Sequence, residues 1–86
     1  MGIRELREAF NAVGQPGFVA SRALLHMVHV GPVEMTKLTF YGIGPDGVAF
    51  EVTSDPLPAG TDVNVAAGQV ARKLIEDHEG QGEPPP

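Results

Sequence analysis

An α+β fold in the order α-β-β-β-α, with a three-stranded antiparallel meander packed on one face by two helices, is what this 86-residue sequence predicts. Three observations lead there. Ile3, Leu6, Phe10 and Val13 recur at helical spacing near the start, and Val63, Ala67, Val70 and Leu74 do so again towards the end. Between them, Lys37 to Val52 carries an apolar pattern interrupted at its centre by Gly44-Pro45-Asp46-Gly47, the composition of a tight hairpin turn.

The first helix is predicted over about residues 2–13. Arg4, Glu5, Arg7, Glu8 and Asn11 form its polar side, and Gly14 followed by Pro16 stops it, since glycine accepts a left-handed cap and proline cannot continue a helix. Residues 18–30 fit two templates. Ala20, Ala23, Leu24, Met27 and Val28 would line a helix, whereas Leu24, His26, Val28 and Val30 alternate as in a strand. Val28-His29-Val30 ahead of Gly31-Pro32 is β-like, and a two-stranded hairpin alone is marginal, so a strand over about residues 21–30 paired with residues 35–43 is the reading adopted.

The central hairpin can be read to its register. Pro45 sets φ for the first corner of a type I turn, Asp46 suits the second, and Gly47 takes the left-handed conformation that closes a three-residue loop. Gly44 then faces Val48, Gly42 faces Phe50, Phe40 faces Val52 and Thr39 faces Thr53. Leu38, Phe40, Val48, Phe50 and Val52 fall on the core face, and Thr39, Tyr41, Ile43, Ala49 and Glu51 on the other. Asp55-Pro56-Leu57-Pro58-Ala59-Gly60 is a connector, after which Thr61 or Asp62 caps the second helix. Gly80 is expected to end that helix. The domain accordingly covers residues 1–79, and residues 80–86, with nothing apolar to anchor them, form a disordered acidic, proline-rich tail.

Composition narrows the function classes. A chain this short buries only roughly 60% of the surface exposed when unfolded, and with no cysteine it has neither disulfide nor thiolate metal site to reinforce it. Six basic residues against eleven acidic give a formal charge of −5, without the basic run that leaves a nucleic-acid footprint. Residues 1–22 nevertheless hold three arginines against two glutamates, while Glu76, Asp77, Glu79 and Glu83 form an acidic end. No secretory leader pattern and no stretch of about 20 apolar residues is present, which predicts a cytoplasmic protein.

Candidate chemistry is sparse. His26 and His29 would share one side of a helix but face opposite ways on a strand, and His78 lies in another element, so no metal site is expected. Gly42-Ile43-Gly44-Pro45-Asp46-Gly47 joins two strands instead of opening a helix and therefore is not a nucleotide loop. Ser21 and Ser54 have no elbow motif and no base at an evident distance. Glu76 and Asp77 are adjacent on a helix and point to different sides. Neither catalysis nor a cofactor is expected.

The element order, with Gly31-Pro32 between the first two strands, resembles the double-stranded RNA-binding domain over about residues 2–78. That resemblance implies duplex-RNA binding through a lysine-rich start to the second helix and a loop between the first strands, often with a histidine after Gly-Pro. Here the helix starts Thr61-Asp62-Val63-Asn64-Val65-Ala66, without a base, and Glu34 stands near the loop position; Arg72 and Lys73 come a turn or more later, ahead of Glu76 and Asp77. The expectation is this fold without its phosphate grip.

A protein-facing surface remains. The predicted first strand is apolar on both sides, with Leu24, Val28 and Val30 on one and Leu25 and Met27 on the other, and two helices cover only one face of a three-stranded sheet. The uncovered face should present Leu25 and Met27, or alternatively Leu24 and Val28, beside Tyr41, Ile43 and Ala49. The candidate interaction set is Leu25, Met27, Tyr41, Ile43 and Ala49, serving a homodimer or a protein partner, with duplex RNA and an acidic inhibitor or immunity-type role as the alternatives.

Overall fold

The computed structural model describes residues 2–82 and has the order α1 (Ile3–Gly14), β1 (Val19–Val30), β2 (Val33–Ile43), β3 (Ala49–Thr53), α2 (Val63–Gly82). The strands form one antiparallel sheet ordered β1-β2-β3, with both helices on one side. The two-template segment is therefore extended; β2 starts two residues earlier than predicted because Gly31-Pro32 closes a two-residue turn, with Gly31 at φ 62°, and β1 starts at Val19 because Val19 and Ala20 pair with Ile43 and Gly42.

The β2–β3 register is the one the turn dictates: Thr39 opposite Thr53, Phe40 opposite Val52, Gly42 opposite Phe50. Gly47 sits at φ 80°, its amide donates to the Gly44 carbonyl at 3.0 Å, and the Gly44 amide donates to Val48 at 2.9 Å. Asp46 Oδ1 accepts from the Val48 amide at 3.2 Å. Val48, assigned to the core face, is instead 62% exposed, because it stands at the turn where no helix reaches.

Leu6, Phe10, Phe18, Ala20, Ala23, Leu38, Phe40, Ala66, Ala67 and Ala71 make up the core. Phe10 is its centre, stacked on Phe40 at 4.6 Å between ring centroids and on Phe50 at 5.8 Å. Gly14 does not adopt the expected left-handed cap; it is the last helical residue, and extended backbone at Gln15 ends α1. Glycine serves packing there, since a Cβ would come 3.2 Å from Phe10 Cε1.

Asp62 is the cap of α2, its Oδ1 accepting from the amides of Asn64 at 3.0 Å and Val65 at 3.3 Å. The buried stripe is broader than the pattern suggested: Ala66 and Ala71 join Ala67 inside, while Val63, Val70 and Leu74 are half-buried around them. The helix passes Gly80 and runs to Gly82, correcting the predicted end, and the remainder of the expected tail lies outside the described residues.

Two irregularities set the geometry of the sheet. Between Ala20 and Arg22 the β1–β2 register shifts by a bulge at Ser21, and Asn11 of α1 clamps the adjacent backbone, accepting from the Ala20 amide at 2.7 Å and donating to its carbonyl at 3.1 Å. Replacing Asn11 with Ala strands both backbone groups of the buried Ala20 and should cost about 1–3 kcal/mol in urea unfolding. Asn11→Asp, which keeps the acceptor, should cost less. At the far side, Ser54 ends β3 by taking the Leu38 amide on its hydroxyl at 2.9 Å, and Leu57 resumes the pairing opposite Thr36.

Candidate functional site: the open face and free edge of the sheet

An unbroken register between the Gly31-Pro32 turn and the Ser21 bulge decides which β1 side chains share a face. Ala23 lies opposite Phe40 and Leu25 opposite Leu38, so Ala23, Leu25, Met27 and His29 are on the helix side. Arg22, Leu24, His26 and Val28, opposite Tyr41, Thr39, Lys37 and Met35, are on the open side. The predicted interaction set therefore divides: Tyr41, Ile43 and Ala49 are on the open face, where Leu24 and Val28 accompany them, while Leu25 and Met27 point the other way. They are exposed all the same, at 44% and 55%, because the distal β1–β2 hairpin projects past the helices. This part of the hairpin is greasy on both sides.

On the open face, Arg22 lies over the Tyr41 ring at 5.8 Å, a cation–π arrangement. Deeper in, His26 Nε2 is 3.1 Å from Thr39 Oγ1, which is 3.0 Å from Thr53 Oγ1. This polar ladder crosses all three strands, and Thr39 is 4% exposed beneath it although no helix covers that side. On the helix side, the Thr36 hydroxyl donates to Met27 Sδ at 3.6 Å, and His29 Nε2 approaches Glu34 Oε2 at 4.0 Å. His26 and His29 thus stand on opposite faces, and His78 lies elsewhere, edge-on to Phe18 at 5.4 Å. Among the described residues no three His, Asp or Glu side chains converge into a metal-sized group.

The edge of β1 adds a feature that pattern reading missed. Thr36 exchanges both backbone bonds with Leu57, and Leu38 pairs its amide and carbonyl with Ser54, so these two residues direct their polar backbone away from β1. Their β1 partners, Met27 and Leu25, are consequently in non-hydrogen-bonded pairs. By alternation the N–H and C=O of Ala23, Leu25, Met27 and His29 all point away from β2; Leu25, Met27 and His29 are exposed along this edge, whereas Ala23, 2% exposed, is covered. Proteins normally blunt such an edge with proline, charge or short length, yet residues 23–30 contain no proline and no carboxylate. β3, the other edge, is only five residues long and carries Glu51.

A second concavity, of about 440 Å³, lies between β3 and α2, with Val52, Leu57, Val70 and Leu74 along it and Lys73 and Asp77 at its mouth. Near the bulge, Arg4, Arg7 and Arg22 edge a smaller hollow with Ser21 and Ala23, placing the arginine-rich end of the protein beside the start of the free edge. No described helix is long and apolar enough to cross a membrane. In comparisons with known proteins, no family model, no curated protein and no solved structure matches this chain.

Proposed function

We propose that the protein is a non-catalytic interaction module of the cytoplasm that homodimerises through the projecting β1–β2 hairpin. The observation that carries this is the hairpin's double-sided apolar exposure: Leu25 and Met27 on the helix side, and on the open side Val30 and Val33, at 49% and 52% exposure by the turn, next to the half-buried Leu24 and Val28. Apolar surface of this extent on a small protein marks a contact surface. The double-stranded RNA-binding alternative shares the element order, but Thr61–Ala66 supplies no cation and the overall charge of −5 opposes the phosphate backbone.

Size-exclusion chromatography with light scattering is the test. The wild type should have twice the 9.1 kDa chain mass, and Met27→Glu should reduce it to one chain mass. Ile43→Glu, at the other end of the open face, should stay dimeric; monomer there would move the contact from the hairpin to the sheet face. A wild type that is monomeric throughout the concentration series overturns the reading, and a low-salt gel shift with duplex RNA would replace it with the alternative.

A further inference from the structure

We infer that the groove between β3 and α2 takes an extended segment of a protein partner, which alternates apolar with basic residues and adds to the sheet as a fourth, antiparallel strand beside β3. This site is on the opposite edge of the sheet from the β1–β2 hairpin and goes beyond the homodimer proposed above. The backbone of β3 prepares it. The Gly44 amide donates to the Val48 carbonyl at 2.9 Å and the Ser54 amide to the Leu38 carbonyl at 2.8 Å. Residues 48, 50, 52 and 54 therefore turn their polar backbone to β2, and Ala49, Glu51 and Thr53 turn theirs away from it. All three are exposed along the edge of the sheet. Pro56 has no amide with which to continue the row.

Beside that row is room for side chains. Val52 and Leu57 form one wall of the groove and Val70 and Leu74 of α2 the other, all half-buried, around a space of about 440 Å³, within the range of ligand-binding clefts. Open edge backbone next to an apolar groove is what strand addition uses: main-chain bonds hold the incoming segment, and every second side chain fills the groove. An added strand places the residues opposite Phe50 and Val52 on the helix side, at the groove, and the residue opposite Glu51 on the open face. The antiparallel sense is the more stable per residue, and there the partner of Glu51 exchanges both backbone bonds with it.

Charge selects the occupant. Glu51, Asp55 and Asp77 stand along the edge and groove against one cation, Lys73, and among the described residues none of the four is in an ion pair. A basic residue opposite Glu51 completes a cross-strand pair of opposite charge. A second copy of the chain fits badly, because the antiparallel register that uses all three outward residues sets Glu51 against its own counterpart, and like charges directly opposite destabilise a sheet. Residues 83–86, one glutamate and three prolines, would bring a like charge and a single amide.

The probe is an end-blocked, fluorescein-labelled peptide, lysine-threonine-valine-arginine-valine-threonine-lysine, titrated with the full chain by fluorescence anisotropy. It should bind saturably. Glutamate in place of its arginine should weaken binding about tenfold, and N-methylation of the arginine amide, which removes a main-chain donor and leaves the charge, should also cost about tenfold. Glu51→Lys, folded by circular dichroism, should reverse the preference and take the glutamate peptide more tightly than the arginine one. In hydrogen exchange the amides of Glu51 and Thr53 should be fast in the free protein and protected at saturation. Equal binding of the N-methylated peptide, an unreversed preference in Glu51→Lys, or fast exchange at residues 51 and 53 under saturation overturns strand addition, as does a folded wild type that ignores the arginine peptide. None of these results moves the light-scattering test of the hairpin, so the two readings fail separately.

Discussion

Gly42→Ala is expected to destabilise the protein by about 3 kcal/mol or more, the upper end of what overpacking costs, although it adds one methyl group. A Cβ at residue 42 would collide with the carbonyl oxygen of Val19 and stand 2.8 Å from Ala20 Cα. Both obstacles are backbone, so no rotamer change relieves the overlap. β1 and β2 must separate at the bulge, and the Asn11 clamp on Ala20 goes with them. In urea the unfolding midpoint should fall sharply. Gly44→Ala is the control, because its Cβ would meet only side chains, Asp46 Oδ1 at 3.3 Å and Phe18 Cε1 at 3.4 Å. Equal midpoints for the two variants would show that Ala20 and Gly42 do not pair closely.

Phe10→Ala should cost about 3–5 kcal/mol, the range for truncating a buried aromatic ring. Phe10 is 0% exposed and bridges α1 to two strands through its stacks on Phe40 and Phe50. A domain of this length has on the order of 5–10 kcal/mol in total, so the variant should be largely or partly unfolded at room temperature. Phe10→Leu fills more of the space and should retain a cooperative transition with an unchanged denaturant slope. A loss under 1 kcal/mol for Phe10→Ala would contradict the central position of this ring.

The sequence carries most of this architecture through local signals. Pro45, Asp46 and Gly47 permit essentially one turn, and once the turn is set every β2–β3 pair follows by alternation. Residues 18–30 satisfied two periodicities, and what selects the strand is tertiary: β2 offers an antiparallel partner along the whole of β1. The division of the candidate surface has a sharper cause. The faces of residues 22–30 follow by unbroken alternation from the two-residue Gly31-Pro32 turn, which sets Val30 opposite Val33 and so Leu25 opposite Leu38; pairing β1 with residues 35–43 instead implies a longer loop and leaves the choice of face open. The bulge at Ser21, which shifts only the residues before it, has no local mark of its own. Its trace lies elsewhere in the sequence, in Gly42 across the ladder and Asn11 on the helix above. Thr39 was similarly placed on the uncovered face, since the hydroxyl and imidazole neighbours that cover it come from the two flanking strands.

The alanines of α2 carry a mechanical consequence. With Ala66, Ala67 and Ala71 turned inward, α2 can approach its neighbours as closely as methyl groups permit, and a Cβ at Gly68 would already come 3.3 Å from Val13 Cγ2. Helices seated so tightly slide little against each other, because interlocked small side chains leave no slack. The two coils therefore act as a stiff plate, and the hairpin beyond them is a cantilever whose bending concentrates at its root, beside Ser21.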